Sequence, residues 1–185
     1  MVDFKKLILI LGIIISFQPM SFSQVKFSES FAATLNQMDL DIAIPVERSY
    51  RNKQVQKKSF FNSALTIRSR KKKIEIQYAL FPDHQFLVPN VQTTSTLASL
   101  ASNEEIYATI AIHKIKEEDL SEAFNADWGS LVYFQPKRSF SRFRYGKLLS
   151  LYKKGRGLIY VLFLFDEADE DLENQFYSVR FRDVE

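Results

Sequence analysis

Cysteine is absent from the chain, which excludes a disulfide framework, a thiolate metal site, a cysteine nucleophile and the lipidated cysteine of a bacterial lipoprotein. An exported chain of this size can do without disulfides if its core is sufficient. Histidine is scarce, with two in 185 residues. His84 follows Asp83 in a proline-bounded loop and His113 follows a strand end, and nothing in the sequence sets a serine or carboxylate opposite either ring. No GxSxG, HExxH or P-loop pattern occurs. A two-histidine metal site with Asp83 or Glu117 would require the fold to gather them. No catalytic residue, metal or cofactor is therefore expected. An excess of one charge is lacking too: 25 Lys and Arg face 22 Asp and Glu, for a formal +3. Nucleic acid, which calls for a concentrated basic face, is not expected as a partner. Repeats, low-complexity tracts and a Pro/Gly-rich linker are also missing, so residues 24–185 read as one ordinary domain. The longest apolar run there, 158–165, is far too short to span a membrane.

What is present first is a leader. Lys5 and Lys6 precede an apolar run over 7–17 that only Gly12 and Ser16 interrupt, and Ser21-Phe22-Ser23 places small residues where a signal peptidase reads. Residues 1–23 are expected to be a signal peptide, cleaved between Ser23 and Gln24. A membrane anchor needs about 20 apolar residues, and Gln18 and Pro19 stop this run well before that. The protein is thus expected to be secreted or periplasmic. Removal of Asp3, Lys5 and Lys6 leaves an excess of two cations.

Composition also predicts a globular chain, with 46% hydrophobic residues and 17 Phe. Residues 24–38 read as an arm or an opening helix, and 39–185 as a single α+β domain. Leu40, Ile42 and Ile44 alternate as a short strand, and 48–58 reads as a polar loop. Leu65 and Ile67, then Ile74, Ile76, Tyr78 and Leu80, alternate with polar or small residues, which predicts a hairpin with one buried face. Thr93 or Thr94 is placed to cap a helix carrying Leu97, Leu100 and Ala101. Ile106, Ala108, Ile110 and Ile112 alternate as another strand. Glu117, Glu118 and Asp119 favour a helix N-terminus, with Leu120, Ala123 and Phe124 inward and Gly129 as its stop; 131–134 follows as a strand.

The clearest signal is a hairpin of 145–152 and 158–165 around Lys153-Lys154-Gly155-Arg156-Gly157, whose glycines supply positive φ. The second arm has no polar face and should be central, covered on both sides. Residues 166–175 read as a helix with Ala168, Leu172 and Phe176 inward, and 178–182 as a last strand. The sum is an α+β fold: a mainly antiparallel sheet flanked by two or three helices.

Three stretches bear on function. Asp166, Glu167, Asp169, Glu170, Asp171 and Glu173 resemble a calcium loop in composition but lack its glycine and terminal glutamate spacing; a solvated helix N-terminus explains them. Lys137, Arg138, Arg142, Arg144 and Lys147 interleave with Phe140, Phe143 and Tyr145. Such a pattern can hold an anionic polysaccharide, a lipid headgroup or an acidic protein, and equally makes a loop and edge strand guarded by charge. Asp127 and Trp128, the only tryptophan, can form part of a sugar platform or a partly buried anchor. Asp127, Trp128, Arg142 and Arg144 are the candidate binding residues.

The runs FNADWG at 124–129, LFLFD at 162–166, VRF at 179–181 and IEIQY at 74–78 resemble a group of small uncharacterised secreted bacterial proteins. The order of elements resembles the PsbP/Mog1-type α/β sandwich. That resemblance implies an antiparallel sheet between helices and, by analogy alone, a binding or accessory module rather than an enzyme. The expected function is thus an exported, non-enzymatic domain that binds a protein or an envelope component. The alternatives are a hydrolase built around His84 with Asp83 or around His113, and a structural domain that self-associates through exposed Phe and Tyr.

Overall fold

The computed structural model describes residues 25–45, 49–54, 61–82, 88–103, 110–167, 172 and 175–183. The expected leader, Asp83, His84, Ile106, Ala108 and most of the acidic stretch lie outside them. The described chain is an α+β domain around a seven-stranded sheet that is antiparallel throughout.

Helix α1 (Glu29–Gln37) starts where Ser28 Oγ accepts from Phe31 N at 3.2 Å, and it buries Phe31 and Leu35. Strand β1 (Leu40–Ile42) follows. Strand β2 (Tyr50–Asn52) lies inside the stretch read as loop: its pattern is too short to show in sequence, but Tyr50 is buried and the strand pairs with β3 (Leu65–Ser69). Strand β3 turns into β4 (Ile74–Pro82) without glycine; Lys73 takes the left-handed conformation, φ 52°. Most of the polar face of this hairpin is buried as well, contrary to the one-faced reading: Thr66, Glu75 and Gln77 are buried and Arg68 is exposed. Glu75 is enclosed by Lys53 Nζ at 2.8 Å and Gln77 Nε2 at 2.8 Å, and Ser63 Oγ meets Thr66 Oγ1 at 2.9 Å. Partnered polar groups can be buried where an unpaired charge could not.

Helix α2 (Pro89–Leu100) begins before the expected threonine cap because Pro89 stands in its first turn, where a missing N–H costs nothing. Thr93 instead points inward with Leu97 and Leu100, a spacing of four and three residues on one helix face. Strand β5 (Ala111–Lys114) lies at an edge of the sheet and holds Ile112 of the predicted alternation, Ile106 and Ala108 lying outside the described residues; Ile110 and Ile112 are exposed. Helix α3 (Glu117–Glu122) has the expected acidic first turn. It ends before Asn125, which takes φ 48°. Gly129 is not its stop but lies within β6 (Trp128–Phe134), where a Cβ would meet Leu120 Cδ2 at 2.7 Å.

Strands β7 (Tyr145–Lys153) and β8 (Gly157–Phe165) form the expected hairpin, in register along its whole length, with Gly155 at φ 76° and Gly157 at φ 130°. The sheet order is β2-β3-β4-β8-β7-β6-β5, so β8 is central and buried at every residue, as its sequence demands. Ile159, Val161, Phe163 and Phe165 join one core with α1, Phe124, Leu172 and Phe176. Leu158, Tyr160, Leu162 and Leu164 join the other, beneath α2 and Phe61. Strand β9 (Val179–Phe181) pairs antiparallel with β1 as a two-stranded ribbon over the first core. No helix among the described residues is long and apolar enough to cross a membrane.

Candidate functional site

Register decides which charges meet at the sheet ends. At one end Tyr145 of β7 pairs with Phe165 of β8, which pairs with Ile74 of β4. The residues just beyond that row are Arg144, Asp166 and Lys73, which sequence separation hides. Arg144 N donates to Asp166 Oδ1 at 3.1 Å, carrying the ladder one step past the strands. The connection 135–144 curls over this end and brings Arg138 and Arg142 to it. Together they line a groove of about 960 Å³, with Phe143 and Tyr145 in its walls and Asp166 and Glu167 on its acidic side.

The five cations of the basic-aromatic run divide by what they touch. Lys137 Nζ donates to Ala98 O at 2.8 Å and closes the C-terminal end of α2. Lys147 is buried, with its ammonium 3.3 Å from the Phe176 ring centre and 4.6 Å from that of Tyr133. Arg138, Arg142 and Arg144 remain exposed, and among the described residues their guanidinium groups have no hydrogen-bond or ion-pair partner. The edge-strand reading of this run is corrected: β7 is an interior strand, and the edges of the sheet are β2 and β5. Phe143 is held from behind by the Arg68 guanidinium, 5.3 Å from its ring centre, and Tyr145 packs on Phe165 at 5.8 Å.

Asp127 and Trp128 lie at the opposite end. Strand β7 runs nine residues between the two ends, roughly 27 Å at the rise of an extended strand. Asp127 Oδ2 accepts from Lys154 N at 2.8 Å, and Asp127 N donates to Tyr152 O at 2.9 Å, so this carboxylate holds the β7–β8 turn. Trp128 is half-buried, pairs with Tyr152 and packs on the core under α2. The four sequence-derived binding residues therefore form two pairs and not one site. Lys73 and Asp166 are the groove residues that sequence reasoning did not connect to the arginines.

His113 stands exposed on β5 with its ring edge-on to Tyr133 at 5.3 Å. No group of three or more His, Asp or Glu among the described residues is placed to hold a metal. Two buried phenols, Tyr78 and Tyr160, have pKa values raised by burial. Thr93 Oγ1 donates to Tyr160 Oη at 3.4 Å. Ser178 lies beside Tyr78, but its hydroxyl donates to Gln175 O at 2.6 Å, and Tyr78 Oη is left without a hydrogen bond of ordinary geometry.

No family model, no curated protein and no solved structure matches the chain.

Proposed function

We propose that this chain is an exported, non-enzymatic binding or accessory domain that engages a protein or an envelope component through the basic groove. The observation that carries this reading is the convergence of Arg138, Arg142 and Arg144 with Lys73 on one groove, without partners for the guanidinium groups among the described residues. A guanidinium presents a rigid fork of donors that matches carboxylate or phosphate oxygens two at a time. Three guanidinium groups and the Lys73 ammonium on one groove present several donors to an anion. The likeness to PsbP/Mog1-type modules belongs to the same proposal; an antiparallel sheet with helices on both faces supports it. So does the reading of residues 1–23 as a leader.

Affinity capture from an envelope fraction tests this. The expected result is one enriched component that is released by salt, lost with Arg142→Ala plus Arg144→Ala, and kept with Trp128→Ala. Capture that depends on Trp128 and ignores the arginines contradicts the placement.

A second reading, self-association, is favoured by the open edge of β5, where Ile112 is 70% exposed and Ile110 48%. Light scattering across a hundredfold concentration range distinguishes it, since a monomer throughout excludes it.

A further inference from the structure

Resting on the reading of the groove as the binding surface, we infer that its ligand is an acidic glycan, a sugar chain carrying a carboxylate on its rings. Three features of the groove select this class. The first is the guanidinium set, which suits carboxylates held two-pronged. Arg138, Arg142 and Arg144 lie on the connection leading into β7 and Lys73 on the turn between β3 and β4, so the groove receives its cations from two segments. Four cations in one groove can meet more than one acid of a chain.

The second feature is the ring of Tyr145, 46% exposed although it is braced by Phe165. It offers a flat apolar face with a hydroxyl at its tip. The C–H face of a pyranose packs on such a surface, whereas a peptide carboxylate has no use for it. The third is the acidic side. Asp166 keeps Oδ1 on Arg144 N, and Glu167 is exposed beside it. Two carboxylates on the wall of a basic groove oppose a densely charged phosphate chain, yet they accept hydrogen bonds from hydroxyl groups. A glycan with one acid per ring, spaced by hydroxyls, satisfies both walls at once. The groove volume of about 960 Å³ lies at the upper end of small-ligand sites and accommodates a short oligosaccharide.

The test is calorimetric titration of the full chain with four probes at low and moderate salt: oligogalacturonate, its methyl ester, a neutral β-linked glucose oligomer of equal length, and poly-glutamate. The expected result is saturable binding of oligogalacturonate alone. Affinity should fall tenfold or more with Arg142→Ala plus Arg144→Ala, and severalfold with Tyr145→Ala. Arg142→Lys plus Arg144→Lys should recover only part of it, because an ammonium keeps the charge and loses the fork. Equal binding of poly-glutamate overturns the glycan inference and leaves an acidic protein as ligand of the same groove. If no probe binds while capture from envelope stays arginine-dependent, the glycan inference fails and the binding reading stands. If neither the probes nor the capture depends on Arg142 and Arg144, both fail.

Discussion

At one end of β7, Lys153 Nζ donates to Asn125 O and Oδ1 at 2.8 and 2.6 Å. Asn125 Nδ2 in turn reaches Phe181 O and Arg182 O at 3.0 and 3.1 Å, and Arg156 Nη1 joins Arg182 O at 2.6 Å. Arg182 Nε pairs with Asp41 Oδ1 at 2.8 Å. This end is latched: its charged groups tie the β7–β8 turn, α3 and the β1–β9 ribbon together. At the other end the guanidinium groups of Arg138, Arg142 and Arg144 reach no partner among the described residues and line a groove. The two ends carry the same residue types. What separates them is whether the topology brings a carbonyl or carboxylate within reach, and a charge left unmatched on a rigid support is available to a ligand.

Substitutions should therefore cost stability at the latched end and binding at the open one. Asn125→Ala should have the largest effect on stability, about 2–4 kcal/mol, from three or four lost hydrogen bonds and a left-handed backbone that alanine resists; urea unfolding measures it. Gly129→Ala, also near the latch, should cost about 1–3 kcal/mol by overpacking against Leu120 and Leu151, read as a lowered thermal midpoint.

Alkaline pH offers a control in the core. The folded state holds the protons of Tyr78 and Tyr160 where the unfolded chain releases them, from about pH 10 upward. Their contribution is complete below that pH and is lost as pH rises through it toward the folded values. Tyr78→Phe should make the fall in denaturation midpoint between pH 9 and 11 shallower, and at pH 7 it should shift stability by less than about 1 kcal/mol, since it removes a hydroxyl without a partner. The smallest stability effect belongs to Arg142→Ala plus Arg144→Ala, within about 0.5 kcal/mol of the parent. A loss as large as that of Asn125→Ala would erase the distinction between the ends.

Local pattern made part of this legible. The apolar run 158–165 announced a central strand, and Gly155 and Gly157 announced its turn, because burial on both faces and positive φ each leave a direct mark in residue type. Pairing across long separations leaves none. Nothing near Arg144 signals that Lys73 will stand across the row from it, and nothing near Asp127 signals that its carboxylate will meet Lys154 N. The edge position of β5 left no mark for the same reason, since an alternating strand looks alike at an edge and in the interior. The arginines themselves were legible as candidates; which basic residues would be engaged, as Lys137 and Lys147 are, depended on the placement of α2 and Phe176.

The most direct test is arginine modification by phenylglyoxal, read by peptide mass spectrometry on the full chain with and without an envelope fraction. In the free protein Arg138, Arg142 and Arg144 should react fast and the buried Arg156 slowly, and the envelope fraction should protect the first three selectively. Rapid reaction at Arg156 together with no protection at Arg142 and Arg144 would contradict the account.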